Sequence, residues 1–243
     1  MQASMHVVEA LWSFHPVMEI FLAVIMYQRK LHRQFPIFFA YILFQVAQFS
    51  ILFPIYHSQG ASDSYWFAYW VCAIVSWVFG FKIIQEVFLA VLRPFPALQS
   101  AGRLIFRWAT ATTALSIFLL MASGVPLDSP SAGLLIYAER FARFAQCALI
   151  LFILMFSRFI RISWRQPSLG IVLGYGWFAG VELFAFLLYS GRVVDRVALD
   201  LVNVVAYGLS LIVWATYIAF PASDTLPTLR TGSNVPAIDA GTF

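Results

Sequence analysis

Seven apolar runs, at residues 10–28, 35–56, 65–92, 104–123, 134–156, 169–189 and 197–220, follow one another with only short polar gaps between them. A helix needs roughly 20 apolar residues to cross the hydrocarbon core, where every backbone N–H and C=O has to be satisfied within the segment. Each run meets that length, and the gaps, such as HSQGASDS at 57–64 and SGVPLDSPSAG at 123–133, hold turn-forming residues. The reading is all-α: a polytopic membrane protein whose residues 1–220 form a single bundle of seven transmembrane helices. Residues 221–243 are small, polar and proline-bearing and read as a flexible cytoplasmic tail. Charged residues make up 11% of the chain, against about 25% for a soluble domain, which leaves no surface for a water-soluble catalytic unit.

Orientation follows from the basic residues, which stay on the cytoplasmic side when they lie near helix ends. Arg29, Lys30, Arg33, Arg93, Arg103, Arg107, Arg158, Arg161, Arg165 and Arg230 fall on one side, and Arg192 and Arg196 on the other. Ten against two predicts an N-out, C-in topology, and only an odd number of spans keeps that alternation. The expected location is the inner (plasma) membrane. Tyr65, Trp66, Tyr69 and Trp70 at one end and Trp108 and Trp164 at the other suit interfacial belts. Arg93, Arg103, Arg158, Arg161 and Arg165 are placed to meet anionic lipid headgroups.

The net charge of +4 does not indicate nucleic acid, because the basic residues are scattered between apolar runs instead of gathered on one soluble face. Cys72 and Cys147 lie inside apolar runs without metal-ligand spacing. The N-terminal stretch has no basic residue and no small-residue cleavage pattern, unlike a cleaved signal peptide. All four histidines fall within the first 57 residues, so no histidine base is available to serines of the later runs, and GxSxG and HExxH are absent. His15 and Glu19 have a metal-compatible spacing, but two ligands rarely suffice. No enzyme and no cofactor is expected.

Ionisable residues inside the apolar runs cost at least about 2.5 kcal/mol each to insert, which marks them as candidate functional positions. Lys82 and Glu86, four apart in the third run, are expected to form an intramembrane ion pair. Glu19, Glu139, Arg140, Arg143 and Glu182 form a second set towards the outer half. Asn203 and Tyr207, one turn apart, and His15, one turn before Glu19, are placed to join it. Such a set either fixes helix packing or lines a polar cavity, and a guanidinium facing a cavity favours a carboxylate or phosphate. In the sixth run Gly170 and Gly174, then Gly176 and Gly180, make small-xxx-small pairs that permit close helix approach.

The outline of seven helices with an outer N-terminus resembles the microbial rhodopsins, but the lysines here are Lys30 and Lys82, so the last run carries none for a retinal Schiff base. The stretch GFKIIQEVFLAVLRPFPALQSAGR, residues 80–103, resembles a segment of small seven-helix bacterial membrane proteins of uncharacterised activity, and the resemblance implies no reaction.

The first functional expectation is receptor-like binding of a small amphiphilic or anionic ligand from the outer side. A small-solute transporter of 3+1+3 helix organisation is the second, suggested by the similar turns RQFPIF at 33–38 and RQPSLG at 165–170. An accessory subunit that serves a membrane partner protein is the third.

Overall fold

The apolar runs emerge as helices in a computed structural model, which describes residues 2–60, 62–92, 100, 103–104, 106–108, 111, 130–159, 167–190 and 192–220. Among these residues there is no strand. Six α-helices are present: α1 (Gln2–Gln28), α2 (Pro36–Gln59), α3 (Asp63–Val91), α4 (Pro130–Phe159), α5 (Pro167–Ser190) and α6 (Arg196–Ala219), with one turn of 3-10 helix at Leu31–Arg33. Of these, α2, α3, α5 and α6 contain stretches long and apolar enough to span a membrane. The fourth apolar run, 104–123, falls largely outside the described residues, and those it retains are helical. The expected tail at 221–243 also lies outside them.

The helix ends follow local chemistry. Ser62 accepts a hydrogen bond from the Tyr65 N–H at 3.3 Å and Asp195 from the Ala198 N–H at 2.7 Å, each satisfying a donor that the first turn leaves free. Proline opens α2, α4 and α5, where its missing N–H costs nothing.

Each helix packs on its sequence neighbours within the described set, and α1 also packs on α6, so the six close into a ring; α3 crosses to touch α5. Phe106, from the partly described fourth run, is buried against Phe88 of α3, with ring centroids 5.0 Å apart. The outer faces are apolar: Val17, Ile20, Phe21 and Val24 on α1, Phe67, Val71, Ile74 and Val78 on α3, and Phe184 and Leu187 on α5 are all exposed. Contiguous apolar patches on this scale suit a lipid solvent.

The glycine spacing in α5 acts through particular neighbours. A Cβ at Gly170 would strike Tyr217, and one at Gly174 would strike the Trp214 indole. Trp214 is fully buried and donates its Nε1–H to the Ile171 carbonyl at 3.1 Å, so α6 is seated in the groove these glycines leave. Gly176 faces Ile150 of α4, while nothing lies within 4 Å of a Cβ at Gly180.

The expected Lys82–Glu86 pair does not form. The Glu86 carboxylate instead accepts hydrogen bonds from the backbone N–H groups of Ile37 at 2.9 Å and Phe38 at 3.0 Å, and Lys82 stays exposed on the helix surface. The physical reason is that α2 begins at Phe35 and Pro36 with no capping side chain of its own, so its first turn presents free N–H groups and the positive end of its dipole to α3. Two fixed, partly buried donors hold a carboxylate better than one flexible, exposed ammonium.

Candidate functional site

A cavity of about 320 Å³ lies inside the ring, and all six helices contribute to its wall. It lies towards the end of the bundle that carries the α2–α3 and α5–α6 turns: its lining comes from the N-terminal halves of α3, α4 and α6 and from the middle stretches of α1, α2 and α5. A second cavity of about 260 Å³ adjoins it nearer that end and shares Tyr69, Glu139, Arg143, Glu182, Asp200 and Asn203 with it. Trp66, Trp70, Phe186 and Tyr189 give this vestibule an aromatic wall. At the opposite end the inner cavity is bounded by packed rings. Tyr41 and Phe38 meet Trp214 edge-on with centroids 6.3 and 5.1 Å apart, and Tyr41 meets Tyr175 at 6.4 Å.

The structure brings Glu19, Glu139, Arg143, Glu182, Asn203 and Tyr207 to the inner cavity, and Arg140 to the vestibule. Arg143 sits at their centre. Its Nε lies 2.9 Å from Glu182 Oε2 across the α4–α5 contact, while Nη1 donates to Gln146 Oε1 at 3.4 Å and to the Tyr175 hydroxyl at 3.5 Å. The Nε contact to Glu182 lacks hydrogen-bond geometry, so Coulomb attraction between two partly desolvated charges holds it. Tyr175 donates to Gln146 Oε1 at 3.4 Å, and Gln146 Nε2 donates to the Trp77 carbonyl of α3 at 3.2 Å. Gly80 makes the network possible, since a Cβ there would occupy the positions of the Tyr175 hydroxyl and the Gln146 amide. The same guanidinium lies 5.1 Å from the Phe178 ring.

Glu139 and Arg143, like Lys82 and Glu86, stand at the i, i+4 spacing at which an acid and a base on one helix can pair, but Arg143 lies instead against Glu182 of α5. Arg140, one residue out of phase with Arg143, covers the Phe186 ring with its guanidinium carbon 3.2 Å from the centroid.

On the opposite wall, Tyr207 of α6 donates to Glu19 Oε1 of α1 at 2.7 Å. Glu19 is only 3% exposed, and its second oxygen, Oε2, has no hydrogen-bond partner among the described residues. His15, one turn earlier, is 7% exposed, meets the Tyr207 ring edge-on at 5.0 Å and leaves Nε2 without a partner. Asn203 Oδ1 is likewise buried without one. Each such atom costs about 1 to 3 kcal/mol if nothing meets it, and the three lie together in the cavity wall. Among the described residues no three potential metal-ligating side chains gather.

Several lining residues escaped the sequence reading. Tyr41, Gln45 and Gln48 of α2 form a polar stripe at i, i+4, i+7 within an apolar run, with the Gln45 amide donating to Tyr41 at 2.6 Å and Ser76 to Gln48 at 3.4 Å. That stripe is the signal that would have found them, because lipid-facing positions do not carry amides. Gln146, three residues after Arg143, carried the same signal.

The basic residues assigned to headgroups are only partly visible. Arg103 is exposed, Arg93, Arg161 and Arg165 lie outside the described residues, and so does the side chain of Arg158. No protein-family model, curated protein or solved structure matches the chain.

Proposed function

We propose that this chain is a seven-span protein of the inner membrane, N-terminus out and C-terminus in, whose function is receptor-like binding of a small amphiphilic ligand that enters from the outer side. The observation that carries the reading is the polar cavity of about 320 Å³ enclosed by an apolar-surfaced helix ring, a volume at the lower end of small-molecule sites. Its aromatic vestibule suits the apolar part of such a ligand, and its unmatched polar atoms suit a polar head. The described turn between α1 and α2 at the far end carries Arg29, Lys30 and Arg33, which supports the cavity end as the outer one, and Arg93, Arg103, Arg158, Arg161 and Arg165 would rest on anionic headgroups of the inner leaflet. An anionic ligand is the less favoured version, because Arg143 already faces Glu182.

A transporter is the second reading, favoured by the cavity's place between the α1–α2–α3 and α4–α5–α6 halves of the ring. The ring-packed floor at Phe38, Tyr41, Tyr175 and Trp214 supports one-sided access instead. Asn203→Cys, in a background with Cys72 and Cys147 replaced by alanine, separates the two. A small membrane-impermeant thiol reagent is expected to label position 203 when added outside and not when added to inverted vesicles. Labelling from both faces would favour transport, and no labelling from either would remove the open cavity on which both readings depend.

A further inference from the structure

Resting on the ligand-binding reading above, we infer that the polar end of the ligand is a cation, a protonated amine received by Glu19. Three observations converge on it. Among the described residues, Glu19, Glu139 and Glu182 line the inner cavity together with the guanidinium Arg143, so even without Asp200 these carboxylates outnumber it by two. Among the described residues the one guanidinium lining the inner cavity, Arg143, lies against Glu182 and is spent on fixing α4 to α5. Glu19 stands apart from that pair on α1, is 97% buried, and keeps Oε2 without a hydrogen-bond partner while Tyr207 occupies Oε1.

A buried carboxylate with a free oxygen, in a low-dielectric wall, gains most from a donor that also carries positive charge. The neighbouring surfaces suit the same head group. Tyr41, Trp77 and Tyr207 line the cavity, and the negative faces of aromatic rings attract an ammonium within about 6 Å. His15 Nε2 and Asn203 Oδ1, both buried without partners, supply further acceptors for the N–H groups of such an ion when the imidazole is neutral. An anion in the same place would meet the excess carboxylates. The aromatic vestibule would then hold the ligand's apolar portion, which makes the class an arylalkylamine or a similar amphiphilic amine.

The test compares three probes of one shape on the full chain in lipid nanodiscs: phenethylamine, 2-phenylethanol and 3-phenylpropanoate at neutral pH, read by the thermal unfolding midpoint. The amine is expected to raise the midpoint saturably, and the other two are not. Glu19→Gln, which keeps an acceptor for Tyr207, is expected to raise the half-saturating amine concentration about tenfold or more. Glu139→Gln is expected to act in the same direction and serves if the first variant does not fold. A preference for the alcohol or the carboxylate would overturn the cation assignment and leave the ligand-binding reading standing. An unchanged amine response in both variants would overturn it as well, and no response to any probe would overturn both.

Discussion

Glu182→Ala is expected to destabilise the protein by about 3 to 5 kcal/mol, the usual cost of stranding a buried charge by removing its partner. The side chains of Arg143 and Glu182 are 10% and 17% exposed, so cavity water replaces the lost carboxylate only in part. Losing it leaves Arg143 with the weak contacts to Gln146 and Tyr175 at 3.4 and 3.5 Å, the Phe178 ring at 5.1 Å and the more distant charge of Glu139. For a chain of this size such a loss corresponds to a fall of roughly 10 °C in the unfolding midpoint. The double variant Arg143→Met with Glu182→Leu is expected to be less destabilised than Glu182→Ala alone. Removing both charges takes away the desolvation cost along with the attraction, and Gln146 and Tyr175 keep each other as partners. Thermal unfolding of the two variants measures the difference. A double variant destabilised as much as Glu182→Ala, or more, would contradict the mutual dependence of the two charges.

Gly80→Ala is expected to cost about 1 to 3 kcal/mol and to disturb the cavity, although it adds a single methyl group. The new Cβ meets the Tyr175 hydroxyl and the Gln146 amide, and both side chains are fully buried and tied into the Arg143 network, so neither moves freely. Gly180→Ala is the matched control. It makes the same change inside α5 where nothing lies within 4 Å, and it should be neutral or stabilising by up to about 1 kcal/mol through helix propensity. The pair of midpoints separates crowding at one position from any general intolerance of α3 and α5 to a larger residue. Equal effects at the two positions would contradict the packing described for Gly80.

Much of the helical layout was legible in the sequence because lipid leaves the backbone one solution, and an apolar run bounded by prolines and turn residues states its own limits. The α3 and α6 helices, Asp63–Val91 and Arg196–Ala219, lie within a few residues of the runs at 65–92 and 197–220. The charged and polar positions that now border the cavity were also visible, since each stands out against its run. Partner choice was not legible. Local spacing pairs Glu86 with Lys82 and Glu139 with Arg143, yet both expectations fail for the same reason: a neighbouring helix offers something better fixed than a flexible side chain one turn away. For Glu86 it is the uncapped first turn of α2, and for Arg143 it is the carboxylate of Glu182. Contacts of this kind depend on how helices are rotated against one another, and a helix that is apolar on most sides carries little record of its rotation. The polar stripe of Tyr41, Gln45 and Gln48 is an exception that records it plainly, and it points into the cavity wall.

The proposed orientation of the bundle underlies both the proposed outer access and the proposed lipid contacts, and it is tested by impermeant maleimide labelling of two single-cysteine variants in intact cells, with Cys72 and Cys147 replaced by alanine. Val193→Cys lies in the exposed α5–α6 turn at the cavity end, and Gln34→Cys lies in the exposed turn between α1 and α2 at the other. The account predicts labelling of Val193→Cys in intact cells and of Gln34→Cys only after the membrane is permeabilised. The reverse pattern, or labelling of both in intact cells, would contradict it.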